Sequence, residues 1–348
     1  MIKCGASISA VDSAVFYWFT NGKLIGLLAS HVDDFIWAGN EDFRSDIVTK
    51  IRGYFTVGQE ESKSFKYVGL HLESEEGLIR LDQHSYASSI LPIPISKERE
   101  RQKEDALTPE ELELMRSKVG QILWIANQTR PDILFDASSL SAVFKKAKVS
   151  DLIETNKVVR RIQSENVTLK FGQLGHMNML RLLIYSDASL GNLPDGSSQG
   201  GYIIFLTGVE GRVAPIAWQS KRIRRVVRST LSAETLAMAD AIDTGMFIAA
   251  LFTELVYGIP NPLLLPFICI TDNRSLFDTL HSTNLVHEKR LRIEISGIKE
   301  LLHTEQISAV EWHRARSQVA VCLTKKGASP LSLLAVLEGG LLKHQDCQ

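Results

Sequence analysis

The chain has 348 residues, 45% of them hydrophobic and 23% charged, with a formal net charge of −1; this suits two domains or one large one, excludes wholesale disorder, and leaves any contact with nucleic acid to local basic patches. No two of Cys4, Cys269, Cys322 and Cys347 have the close spacing of a zinc site, and nothing in their pattern suggests a disulfide framework. No apolar run is read as long enough to span a membrane and no apolar stretch follows the first residues, so a signal peptide and secretion are not expected; with the cysteine usage, a reducing compartment, cytoplasmic and/or nuclear, is the expectation.

Residues 13–90 read mainly as strands. Val15-Phe16-Tyr17-Trp18-Phe19 and Leu24-Ile25-Gly26-Leu27-Leu28 flank Asn21-Gly22, a two-residue hairpin turn. The second strand runs into His31-Val32-Asp33-Asp34 and then Phe35-Ile36-Trp37-Ala38-Gly39, which places two adjacent acids at a hairpin tip. A helix is predicted over 41–54, with Ile47, Ile51 and Tyr54 on one side. Residues 91–175 read as helical. The charged run 97–101 is expected to be a solvated linker rather than a binding surface. Thr108-Pro109-Glu110-Glu111 is a helix start, with proline at the first position and acids in the first turn. Leu112, Met115, Val119, Ile122 and Leu123 then recur at helical spacing.

From 177 to 327 the texture changes. Strands are predicted over 180–185, 201–206 and 213–218, then a long alanine-rich helix from about Thr230. A strand over 266–271, a helix over 287–303 and a strand over 307–313 follow. Three strands in series, then helices alternating with strands, indicate a mixed sheet covered by helices. In the tail, residues 330–334 are apolar enough for a short packed helix.

Three acids in this last region sit in apolar surroundings. Asp187 follows the strand over 180–185, Glu234 lies in a helix apolar nearly all round, and Asp272 ends the strand over 266–271. A buried carboxylate needs a cation or donors nearby. Taken singly, each acid has a structural reading: Asp187 as a turn cap, Asp272 as the N-cap of the next helix, Glu234 as the partner of an arginine. Taken together, acids from two strand ends and a helix can meet at one spot on a sheet. That is the oxygen-rich, incomplete ligand set a hard divalent metal accepts, and two such metals can drive in-line phosphodiester cleavage.

The ordered series Tyr185-Ser186-Asp187-Ala188-Ser189, Ser198-Gln199-Gly200-Gly201-Tyr202, Trp218-Gln219-Ser220-Lys221, Ser232-Ala233-Glu234 and Thr271-Asp272-Asn273 resembles the ribonuclease H domain of copia-type retrotransposon polyproteins. The resemblance implies two Mg2+ ions cutting the RNA strand of an RNA–DNA hybrid. Asp187 would bridge both, and Glu234 and Asp272 would hold the ion on the leaving-group side. The family closes on Gln-Leu-Ala-Asp-x-Leu-Thr-Lys, whose aspartate helps hold the metal that activates water. This chain reads Gln318-Val319-Ala320-Val321-Cys322-Leu323-Thr324-Lys325, so Val321 stands where the fourth acid is expected and cleavage is expected to be weak or absent. On the same resemblance His313 would assist product release; its plain reading is a strand-end histidine. Lys221, Arg222, Arg224, Arg225 and Arg228 lie between the third strand and the helix of Glu234, as a phosphate grip or a solvated loop.

His31-Val32-Asp33-Asp34 resembles the Tyr-Val-Asp-Asp motif of reverse transcriptases, which implies Mg2+ binding by Asp33 and Asp34. Phe65-Lys66-Tyr67-Val68-Gly69-Leu70, Leu81-Asp82-Gln83-His84-Ser85-Tyr86, Gly120-Gln121-Ile122-Leu123-Trp124 and Thr129-Arg130-Pro131-Asp132 extend the resemblance to nearly the whole chain. His31 replaces the usual tyrosine. The family's other essential aspartate is expected upstream of this sequence, so no DNA synthesis is expected from these residues alone. The expected fold is α/β: a partial polymerase palm over 1–90, a helical thumb or connection over 91–176, a ribonuclease H-like mixed five-stranded sheet with helices over 177–327, and a tail over 328–348. The expected partner is an RNA–DNA hybrid or another nucleic acid, with no membrane. A binding module that no longer cuts, or a decayed transposon product, is the alternative.

Overall fold

The computed structural model describes residues 1–342 other than 284, 285 and 287. Cys347, the first residue of the helix expected over 287–303, and the end of the tail lie outside the described residues. A first antiparallel sheet, in strand order, joins β1 (Ser7–Ile8), β2 (Val15–Thr20), β3 (Lys23–His31) and β4 (Asp34–Gly39). Asn21 and Gly22 both take positive φ, 51° and 72°, as a two-residue turn matched to strand twist requires. At the next tip Val32 is held at φ 53°, an unfavourable region for a β-branched residue, and is exposed.

The helix expected over 41–54 is present, but Phe43–Val48 is a π-helical stretch that continues into α1 (Thr49–Tyr54). The wider turn rotates the inward face: Phe43, Val48 and Ile51 are buried, while Tyr54, expected beside Ile51, is exposed. Phe43 fits between Gly26 and Gly39, where an added Cβ would lie 2.2 and 2.4 Å from its ring. It meets Trp18 edge-on at a centroid distance of 5.0 Å.

A second antiparallel sheet is built from β5 (Ser64–Tyr67), β6 (Leu70–Glu75), β7 (Leu78–Asp82) and β8 (Leu169–Gly172). β8 lies inside the stretch read as helical. It pairs with β7 across five helices, Leu81 opposite Leu169, a distant partnership that four residues cannot announce. The helices between are α2 (His84–Ser89), α3 (Lys97–Arg101), α4 (Pro109–Gln128), α5 (Leu134–Ala142) and α6 (Val149–Ser164). Thr108 and Glu111 form the reciprocal cap expected at the start of α4. The charged run 97–101 is a short helix rather than a linker: Ser96 caps it, and Arg99 forks onto Glu111 at 2.9 and 2.8 Å. Arg130 and Asp132 form a buried fork, 2.9 and 3.0 Å, that Arg161 joins at 2.8 Å.

The third sheet holds β9 (Arg181–Ser189), β10 (Ser198–Thr207), β11 (Val213–Ile223), β12 (Phe267–Thr271) and β13 (Ala309–Trp312), in the order β11-β10-β9-β12-β13. The first three strands are antiparallel; β9, β12 and β13 run parallel. This is the mixed five-stranded, ribonuclease H-like sheet the sequence leads one to expect. Side chains alternate across it. Tyr185, Ile203, Phe205 and Ile270 share a core with α4, α5 and α6. Leu182, Ile184, Ile204 and Cys269 pack with α7 (Thr230–Tyr257), α8 (Arg274–His281) and α9 (Lys289–His303). The tail forms α10 (Leu331–Gly339), with Leu333 and Leu337 fully buried.

By length and composition α7 is long and apolar enough to cross a bilayer, which corrects the reading that no run reaches that length. In the fold its Ala233, Ala237, Met238 and Ala241 are buried within the chain. Near its far end Glu254 accepts the Ser9 hydroxyl and the backbone N–H groups of Ala10 (2.7 Å) and Val11 (3.4 Å), which ties the first strand of the chain to this helix.

Candidate metal centre

β9 does not stop at Tyr185. It runs on through Asp187 to Ser189, so Asp187 is a central-strand residue with no exposed surface rather than a turn cap. The parallel register sets Ile270 of β12 level with Tyr185, and Asp272 follows directly on Thr271, the last residue of that strand. Asp272 does not cap α8, because Asn273 does: its side chain accepts Leu276 N–H at 2.9 Å. The Asp272 carbonyl is held by Trp312 Nε1 at 3.0 Å. Ser229 caps α7, accepting Ser232 N–H at 3.1 Å, and the next turn delivers Glu234. One oxygen from each of Asp187, Glu234 and Asp272 lies within 4.8 Å of the others. Glu234 pairs with no arginine among the described residues, and its Oε2 is buried without a hydrogen-bond partner.

The electrostatics follow from the crowding. Burial, then repulsion from Asp187 and Asp272, pushes the Glu234 carboxyl up to about 9. Burial and Asp187 push Asp272 up as well. Asp187 is raised by burial, against the opposing pull of Lys325 and the Thr324 hydroxyl. Three carboxylates that resist full ionisation, one with an orphaned oxygen, suit a hard divalent cation in both charge and donor type.

Two residues at the centre were not singled out in the sequence except within the Thr-Lys of the closing pattern. The Thr324 hydroxyl hydrogen-bonds Asp187 Oδ2, and Lys325 Nζ lies 3.2 Å from Oδ1. Their segment is docked on the sheet. Gln318 Nε2 donates to Ser186 O at 2.9 Å, Ser189 Oγ to Thr324 O at 2.8 Å, and Ser220 Oγ to Leu323 O at 2.5 Å. Gly201, opposite Asp187, makes room: a Cβ there would lie 2.7 Å from Leu323 Cβ. Val321 opens the short turn Val321–Leu323, and its carbonyl lies 3.1 Å from the Thr324 hydroxyl. The Val321 carbonyl thus shares the Thr324 hydroxyl with Asp187, and the valine side chain offers no oxygen.

The other candidates fall around this point or away from it. His313 follows β13 as the strand-end reading has it. Its N–H donates to Thr271 O at 2.9 Å, its ring lies edge-on to Tyr185, and its Nε2 is 3.0 Å from Glu311. Asp33 and Asp34 stand at the exposed β3–β4 tip, where among the described residues no third ligand completes a metal-sized cluster. Ser220 shares a rung with Gly201 and Asp187, so the basic run starts one residue beyond that rung. Lys221 pairs with Asp240 (3.0 Å), Arg222 with Asp195 (2.7 Å) and Arg225 with Glu294. Arg224 and Arg228 are exposed and form no ion pair among the described residues.

No family model matches the sequence. The chain is 26% identical over 274 residues to a retrovirus-related Pol polyprotein from transposon RE1 of Arabidopsis thaliana, over 73% of this chain and 18% of that protein. It is 34% identical over 114 residues to a transposon Ty5-1 protein of Saccharomyces cerevisiae, over 32% of this chain and 34% of that one. The chain thus spans under a fifth of the first relative and about a third of the second. Among solved structures, the foamy viral protease–reverse transcriptase in complex with RNA/DNA hybrid aligns over 83% of this chain and 36% of that one, at 12% identity and a TM-score of 0.46. Homologues of this chain include retrovirus-related Pol polyproteins from transposons.

Proposed function

We propose that the five-stranded unit is a magnesium-dependent nuclease centre for the RNA strand of RNA–DNA hybrids, with cleavage impaired by Val321. The observation that carries this reading is the meeting of three carboxylates within 4.8 Å, one of them with a buried, unpartnered oxygen. Asp187, Glu234 and Asp272 would hold the metal, which when bound supplies activation of water and stabilisation of the leaving oxygen. The chain's own residues do the positioning. Ser189, Ser220 and Gln318 pin the 318–325 segment, and that segment aims Thr324 and Lys325 at Asp187. Arg224 and Arg228 are the cations of the basic run left to contact phosphate. His313, paired with Glu311, stands beside Asp272's strand, where it could assist release of product.

The test is a labelled RNA–DNA hybrid with Mg2+, comparing the native protein with Asp187→Asn and Val321→Asp. Faint or absent cutting by the native protein, a clear gain with Val321→Asp and none with Asp187→Asn are expected. No gain with Val321→Asp removes the account of impairment.

A second reading, a hybrid-binding unit that does not cut, is favoured by one observation: Val321 contributes no ligand oxygen. Hybrid binding without cleavage by either the native protein or Val321→Asp would select it. For the first sheet we propose no DNA synthesis by these 348 residues alone, since Asp33 and Asp34 lack a third acid among the described residues. Template-dependent nucleotide incorporation by this protein would overturn that.

A further inference from the structure

We propose that Lys325 is a built-in counter-cation of the carboxylate centre, limiting it to one divalent ion and setting how tightly that ion is held. The proposal rests on the metal reading above and concerns a residue that reading leaves without a role of its own. Both oxygens of Asp187, the central ligand, are engaged from the same short segment. Oδ2 takes the Thr324 hydroxyl, and Oδ1 faces the Lys325 ammonium at 3.2 Å.

This is not a chance surface pairing. Asp187 has no exposed surface, and the Lys325 side chain is 38% exposed, so its charge is presented to a buried partner while its stem reaches water. The backbone that carries Lys325 is fixed by Lys325 N–H on Val321 O at 3.2 Å and by Ser189 on Thr324 O at 2.8 Å. It is also fitted over Gly201, where any side chain would collide with Leu323.

Charge then decides the stoichiometry. Once a bound ion has displaced their protons, three carboxylates and one ammonium leave two net negative charges, the complement of a single divalent ion. The acid that could offset a second ion is absent, because position 321 is valine. The orphaned Glu234 Oε2 marks where an ion would gain a ligand without displacing a protein donor. A fixed unit charge within about 4 Å of one ligand oxygen of a partly buried site changes divalent affinity by a factor of ~10 or more. Its removal should therefore be read directly in binding, with no need for turnover.

The experiment is Mn2+ titration of the whole 348-residue protein by calorimetry, comparing native, Lys325→Met and Lys325→Arg, with folding checked by circular dichroism. We expect one Mn2+ per native chain, at least tenfold tighter binding in Lys325→Met, and native affinity in Lys325→Arg. Thermal melts provide the second readout. Without metal, Lys325→Met should melt below native; with saturating Mn2+, it should gain more than native does. Two ions per native chain, or equal or weaker binding in Lys325→Met, overturns the proposal while leaving the metal reading intact. No Mn2+ binding by any of the three overturns both.

Discussion

Replacing Glu234 with glutamine should stabilise the metal-free protein at alkaline pH and scarcely affect it at pH 5. The Glu234 carboxyl is pushed from 4.5 up to about 9 by burial and by Asp187 and Asp272. A carboxyl whose folded value lies above its unfolded value binds more protons in the folded state. Its effect is therefore a loss of stability as pH rises from about 4.5 to about 9. At pH 8 the gap to the unfolded value is about 3.5 pH units, each worth about 1.4 kcal/mol, so the penalty is at most ~5 kcal/mol. At pH 5 it is below about 1 kcal/mol. Glutamine keeps the shape, removes the charge and places an amide donor near the other carboxylates. Melting in EDTA across pH 5 to 9 is the assay, and a rise on the order of 5–10 °C at pH 8 is expected for Glu234→Gln. Mn2+ should stabilise the native protein and do far less for the variant. A variant that shifts the melt equally at both pH values, or that melts lower than native at pH 8, would refute the argument.

Asp132→Asn breaks the buried fork with Arg130 and the contact with Arg161, leaving the nearly buried Arg130 short of its counter-charge. A cost of ~3–5 kcal/mol in denaturant unfolding is expected. Gly201→Val forces Leu323 and Thr324 off the sheet, which should cost ~1–3 kcal/mol and move Lys325 away from Asp187, visible as altered Mn2+ affinity. Glu254→Ala strips the acceptor from Ala10 and Val11 N–H, a loss of ~1–3 kcal/mol, and should expose the segment before β2 to limited proteolysis. Arg224→Ala with Arg228→Ala should lower the salt dependence of hybrid binding by a slope of about 2. Arg225→Ala, whose charge is already paired with Glu294, should change it less.

Local chemistry was legible residue by residue. Asn21-Gly22 declares its turn through two positive φ angles, Thr108-Pro109-Glu110-Glu111 declares its cap, and the apolar strands and the α7 helix declare a mixed sheet with helical cover. Asp187, Glu234 and Asp272 stood out because carboxylates in apolar surroundings demand a reason. Val321 stood out because a side chain without oxygen occupies a position where the resemblance calls for one.

What the sequence could not supply were relations across distance. The π-helical stretch that turns Phe43 inward and Tyr54 outward depends on the ring meeting Gly26 and Gly39. β8 exists because β7 is there to pair with it. Whether the basic run grips phosphate or is a solvated loop depends on Asp240, Asp195 and Glu294, which come from elsewhere to pair with three of its five cations. The pairing of Lys325 with Asp187 joins residues 138 positions apart. The sequence by itself determined which residues are able to bind a metal, cap a helix or make a turn, since those capacities belong to side chains and their near neighbours. Only the tertiary structure decided which of them meet, because strand register and packing bring distant charges within a few ångströms, and Coulomb energy depends on that separation rather than on order along the chain.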